Sequence, residues 1–171
     1  MIIGVTGLHG SGKSFLFKKL SDLMSVPYFY KRDALKSMAN TQDWTKWYRE
    51  KYKQLGVYQF TKLILEFIPT DSPIVLYDAV HNPNEWAAIK DIDPNAILVG
   101  VFSPLSIRRS RNDKQDTTLD KKRVRYWHEP NKNKIACLTS EIQWAFSGCE
   151  EEPFLTNSIE SFKDYIEKQF N

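Results

Sequence analysis

Cysteine is scarce in this 171-residue chain, and the two present, Cys137 and Cys149, have neither the number nor the spacing of a disulfide framework or a zinc site. A reducing, cytoplasmic setting is the default expectation. Long apolar runs are missing too. The first run, Ile2, Ile3 and Val5, has no basic leader before it and meets a glycine-rich stretch within a few residues, so neither a signal peptide nor a membrane span is expected. There is no internal repeat and no low-complexity linker. The net charge of +3 is too small to argue for nucleic acid by itself. What remains is the composition of a globular chain, 42% hydrophobic and 26% charged, long enough for one sizeable core and too short for two ordinary domains. One domain over residues 1–171 is expected, as a monomer or small homo-oligomer.

Ile2, Ile3 and Val5 are brief and β-branched, which predicts a buried strand over 1–6. Leu16, Leu20, Leu23 and Met24 recur at helical spacing, predicting an amphipathic helix over 13–24. A second strand is read at 27–31. One long helix, or two joined near Gly56, is read over 43–68. Ile74, Val75, Leu76 and Tyr77 form a continuous apolar run ending at Asp78, as in a strand buried on both faces of a parallel sheet. Asn82, Pro83 and Glu85 supply an N-cap, a first-turn proline and a back-reaching carboxylate for a following helix. A fourth strand is read at 96–102, and Ser103 with Pro104 repeats the cap signal. Further along, a helix is expected at 135–146, a short last strand at Phe154 and Leu155, and a closing helix opened by Asn157 and Glu160. Strands alternating with helices imply right-handed crossovers. The fold class is therefore α/β, a three-layer α/β/α sandwich around a parallel sheet of about five strands.

Gly7-Leu8-His9-Gly10-Ser11-Gly12-Lys13-Ser14 satisfies the phosphate-loop pattern G-x-x-x-x-G-K-[ST] in full, with a strand before it and a helix after it. Glycines let successive N–H groups point inward as an anion nest at the positive end of the next helix. Lys13, read as an exposed loop lysine, neutralises the β and γ phosphates, and the Ser14 hydroxyl ligates magnesium. Phe15 continues the loop into the helix and joins the nucleotide contacts. His9 is read as a loop filler or a lid contact rather than a base. Asp78 at a strand tip beside this loop is a metal-facing or substrate-facing carboxylate, or else a turn residue before Asn82.

The order of parts resembles the nucleoside monophosphate kinase group of P-loop proteins, including adenylate kinase and dephospho-CoA kinase. The resemblance covers most of the chain and rests on the N-terminal phosphate loop, the strand and helices from Tyr28 to Leu35, the strand ending in Asp78, and the basic span beginning at Arg108. It implies a helical acceptor-binding insertion at about 33–68 and a lid at about 108–132. It also implies that Phe154, Leu155, Thr156 and Asn157 form the last strand and its turn, with Asn157 near the adenine. No Asn-Lys-x-Asp guanine motif occurs, and Lys132-Asn133-Lys134 does not supply one, which points to ATP. The family's acceptor arginine after the second strand is replaced by Leu35 and Lys36. Lys36, Asp33 and Arg49 are then the substrate-binding candidates, with Asp33 alternatively a helix cap and Arg49 alternatively a solvated helix-face residue.

Arg108, Arg109, Arg111, Lys121, Lys122, Arg123 and Arg125 concentrate positive charge after the fourth strand. Guanidinium groups closing over a phosphoryl group in transfer stabilise its charge, and Arg108 and Arg111 share one helix face. The competing reading is a charged surface helix paired with Asp113, Asp116 and Asp120. Trp127 and Trp144 are assigned to packing. The catalytic set expected from sequence is Lys13, Asp78, Arg108 and Arg111, with Ser14 and Asp78 as metal ligands and ATP and Mg2+ as cofactors. The expected activity is transfer of the γ-phosphoryl group to a small phosphorylated or hydroxyl-bearing acceptor. Two alternatives stand beside it: a polynucleotide-end kinase, for which nucleic acid is the partner, and a non-catalytic ATP-binding regulatory protein.

Overall fold

The computed structural model describes residues 1–111, 120–121, 124–125, 137–148 and 152–170. Strand β1 (Ile2–Thr6) enters the phosphate loop, and helix α1 (Lys13–Met24) leaves it. Strand β2 (Tyr28–Tyr30) runs directly into α2 (Lys31–Ala39), and α3 (Trp44–Leu65) follows, broken at Gly56, where φ 72 and ψ 164 leave the helical region. Then come β3 (Val75–Asp78), α4 (Pro83–Ile92), β4 (Ile97–Phe102) and α5 (Leu105–Arg111). A single turn, α6 (Leu138–Glu141), leads into β5 (Ile142–Ser147), and α7 (Glu152–Phe170) closes the chain.

All five strands are parallel, in the order β2-β3-β1-β4-β5. Because successive strand residues face opposite sides, Ile2 packs with Phe60, Ile64, Trp86 and Ile89 on one face, and Ile3 and Val5 pack with Leu16, Phe17, Leu20 and Phe162 on the other. One core therefore lies under α2, α3 and α4, and a second lies under α1 and α7. This is the expected three-layer sandwich of five strands.

Two element readings are corrected. The segment read as helical over 135–146 contributes β5, which pairs along β4 from Leu98↔Ile142 to Phe102↔Ser147; residues 135–136 lie outside the described set. The strand read at Phe154 and Leu155 is instead the start of α7, a continuous helix whose buried face is Leu155, Ile159, Phe162 and Ile166. Trp144 does pack, against Phe146, Phe162 and Tyr165. Ser103 does not cap α5 as expected: its hydroxyl donates to the Ser11 carbonyl at 3.0 Å, tying the end of β4 to the phosphate loop.

Candidate active site

The carboxyl ends of β1, β3 and β4 converge on the phosphate loop, with Val5 in register with Asp78. Gly12 caps α1 with no side-chain hydrogen bond, so the first-turn amides keep no internal side-chain acceptor and suit an anion. Gly10 and Gly12 both adopt positive φ, 74° and 96°. The Lys13 side chain is not the exposed loop lysine expected: the residue is 9% exposed and Nζ donates to the Leu8 carbonyl at 2.7 Å.

Asp78 is buried and accepts two hydrogen bonds at one oxygen, Oδ2, from Ser14 Oγ at 2.6 Å and from Tyr28 Oη at 2.6 Å. Burial, then the bond to Asp78, pushes the Tyr28 hydroxyl well above the usual tyrosine range, so Tyr28 is a neutral donor. Among the described residues no group of three His, Cys, Asp or Glu side chains could hold a metal ion. A hydroxyl beside a carboxylate fits magnesium, a hard cation that keeps water and phosphate oxygens for its other positions.

Lys13, Ser14 and Asp78 open into a cleft of about 650 Å³. Its far wall comes from the second strand and the helical insertion: Tyr30, Lys31, Arg32 and Leu35, then Trp44, Thr45, Tyr48 and Arg49. Burial, with the nearby Glu85 carboxylate, pushes Tyr48 up to about 12. Arg32 sits over the Tyr30 ring, 5.5 Å from its centroid. A second cavity of about 350 Å³ lies on the other side of Phe15 and is lined by Gly12, Leu16, Val101, Arg111, Gly148 and Leu155.

Of the substrate candidates, Arg49 lines the cleft, whereas Asp33 and Lys36 do not: both are exposed and face each other across one helical turn at 3.9 Å. Their displacement follows from α2 starting at Lys31 with Tyr30 as its N-cap, so Asp33 is inside the first turn and no cap, and the cleft-facing residues are Lys31 and Arg32. Asn157 is exposed on α7 and lines neither cavity, because the turn expected before it is helix. Arg108 and Arg111 separate. Arg111 lines both cavities and donates from Nη2 to the Gly148 carbonyl at 2.6 Å. Arg108 is buried behind the loop, donating to the His9 carbonyl at 3.1 Å and pairing with Asp120 at 2.6 Å, while the His9 amide donates to the same carboxylate at 3.0 Å. Arg109, Lys121 and Arg125 are exposed. Lys122, Arg123, Asp113, Asp116 and Trp127 lie outside the described residues, as does most of the span read as a lid.

Sequence reasoning missed Tyr28, Lys31, Arg32 and Gly148. It read Glu85 as a capping residue only; its carboxylate does accept from the His81 amide at 2.8 Å, one residue earlier than a capping box would reach, and it also accepts from Tyr77 Oη at 3.1 Å and pairs with Lys31. An acid at the third helical position together with a lysine heading the helix after β2 is the only local signal, and it names no partner.

No family model matches the sequence, and no curated protein matches it. Solved structures do. The chain is similar to shikimate kinase from Acinetobacter baumannii in complex with shikimate, at 13% identity over 99% of this chain and 95% of that one, TM-score 0.62. It is similar to a gluconokinase from Sinorhizobium meliloti, at 14% identity over 99% and 97%, TM-score 0.60. It is also similar to Kti12 from Chaetomium thermophilum in complex with ADP-AlF3, at 16% identity over 96% and 98%, TM-score 0.58. At such identities the likeness establishes the fold, that of the P-loop kinases, over essentially the whole chain.

Proposed function

We propose that the protein is an ATP-dependent phosphotransferase that moves the γ-phosphoryl group onto a small acceptor carrying an anionic group. The observation behind this reading is that one cleft has the phosphate loop with Ser14 and Asp78 at one end and the cations and rings of Lys31, Arg32, Tyr48 and Arg49 at the other. Arg32 and Arg49 have no ion pair within 4.0 Å among the described residues, so an acceptor phosphate or carboxylate has two guanidinium forks to meet. The second cavity, lined by Phe15, Leu155 and Arg111 among others, would receive the adenine and ribose of ATP. Lys13 exchanges the Leu8 carbonyl for phosphate oxygens, and Asp78, held by Tyr28, faces the phosphates and the acceptor. Magnesium, held by Ser14 and Asp78 when bound, supplies neutralisation of phosphate charge. Most of the rate enhancement is then positioning and electrostatics. No described helix is long and apolar enough to cross a membrane, and a cytoplasmic location, where ATP is available, goes with this reading.

The test is ADP production from magnesium ATP with a panel of acceptors: nucleoside monophosphates, dephospho-CoA, shikimate, gluconate and nucleic-acid ends. Stimulation by an anionic small molecule is the expected result. Tight ATP binding with no stimulation by any acceptor would favour a regulatory ATP-binding protein instead, and stimulation by nucleic-acid ends alone would make it an end kinase.

A further inference from the structure

We propose that Lys31 is a second phosphate-binding lysine, one that meets the phosphoryl group in transfer from the acceptor side of the cleft while Lys13 holds it from the loop side. This rests on the nucleotide-binding reading above. Tyr30 is in register with Asp78, so Lys31 starts α2 at the level of the carboxylate that contacts the phosphate loop. Its Nζ donates to the carbonyl of Ala79, the residue after Asp78, at 2.6 Å, and pairs with Glu85. An ammonium has three N–H donors. Two are committed, and among the described residues the third has no hydrogen-bond acceptor, while the side chain lines the cleft.

The way Lys31 is held argues for a ligand rather than for stability alone. Glu85 is 5% exposed, does not line the cleft, and also accepts from the fully buried Tyr77 hydroxyl and the His81 amide. The carboxylate therefore lies behind the ammonium as seen from the cleft, and an anion entering there meets the positive charge first. A long lysine side chain on a surface loses rotamer freedom when it binds a phosphate; here the head group is already fixed by Ala79, Glu85 and the Tyr77 ring, whose centroid is 5.8 Å away. Such a preset cation is suited to charge that develops on the moving phosphoryl oxygens. Lys31 makes no covalent bond in this role. Glu85 is a positioning residue that acts through it.

Aluminium fluoride added to magnesium ADP mimics the phosphoryl group in transfer and needs no known acceptor. Lys31→Met alone strands a buried carboxylate and invites unfolding, so the comparison is between Glu85→Gln and the double variant Lys31→Met with Glu85→Gln. These differ at the head group of residue 31, and both share the same glutamine, whose single oxygen can replace either the carboxylate oxygen that accepts from Tyr77 or the one that accepts from the His81 amide. Calorimetry should show magnesium ADP affinity equal within twofold in the two, and affinity for the aluminium fluoride complex at least tenfold weaker in the double variant. Equal affinities for both ligands would overturn the proposal, as would a matching loss for ADP itself, or a native protein that binds ADP and gains nothing from aluminium fluoride. Failure of the native protein to bind magnesium ADP at all would sink the nucleotide reading, and this inference with it.

Discussion

Lys13 and Ser14 are the residues at which ligand chemistry and fold are most separable. Lys13 is buried along its stem and its ammonium donates to the Leu8 carbonyl, so Lys13→Met keeps the apolar packing and removes the ammonium. A charge-assisted hydrogen bond of about 1.5–3 kcal/mol corresponds to roughly a ten- to a hundredfold loss of magnesium ATP affinity. Unaltered ATP affinity in that variant would remove the loop from the active site. Ser14→Ala should instead weaken ATP binding chiefly in the presence of magnesium, since its hydroxyl is a metal ligand candidate bonded to Asp78; an equal loss in metal-free titrations would argue against that role. These positions were legible because the motif is contiguous and each member has its chemistry in its own side chain. Lys31 and Glu85 were not, because they are 54 residues apart and only the pairing of β2 with β3 brings them together.

Elements were legible where the hydrophobic pattern was unambiguous and misread where one pattern served two structures. Ile142, Trp144 and Phe146 alternate as in a strand, yet with Leu138 and Glu141 just before them they also scan as a helix face. The arbiter is tertiary: β4 needs a neighbour on the side away from β1, and β5 supplies it in parallel register. The resemblance to kinases gave the right element in the wrong place, since the last strand is Ile142–Ser147 and not the pair Phe154 and Leu155. Gly148, just past that strand, is the consequence of the true placement. A Cβ there would sit 1.9 Å from the Ser11 carbonyl oxygen and 2.3 Å from Ser103 Oγ, so Gly148→Ala must push the phosphate loop away from β5. Overpacking of this kind costs about 1–3 kcal/mol. Because the displaced backbone is the phosphate loop itself, ATP affinity measured by calorimetry should fall by about tenfold, whereas a variant that binds ATP normally would mean that the end of β5 yields instead of the loop.

At the scale of the whole molecule, the strand order puts β1 at the centre of the sheet, with β3 and Asp78 on one side and β4, β5 and Gly148 on the other. The larger cleft and the second cavity are thereby divided by the loop and Phe15, which lines both. Ligand binding should consequently couple the two halves of the sheet. Arg108 and Asp120 already tie the first helix after β4 to His9, so the phosphate loop has contacts to β3 through Ser14, to β4 through Ser103 and to β5 through Arg111. A ligand that fills the loop stabilises all of them at once. At a hundred times its dissociation constant, magnesium ATP adds about 2.7 kcal/mol to the folded state, which for a chain of this size raises the melting temperature by about 5–10 °C. The shift should fall to about half or less in Lys13→Met at the same nucleotide concentration, be smaller when EDTA replaces magnesium, and be unaffected by Lys36→Ala, whose side chain faces solvent outside the cleft. If native protein melts at the same temperature with and without saturating magnesium ATP, the loop is folded as a phosphate site but does not act as one.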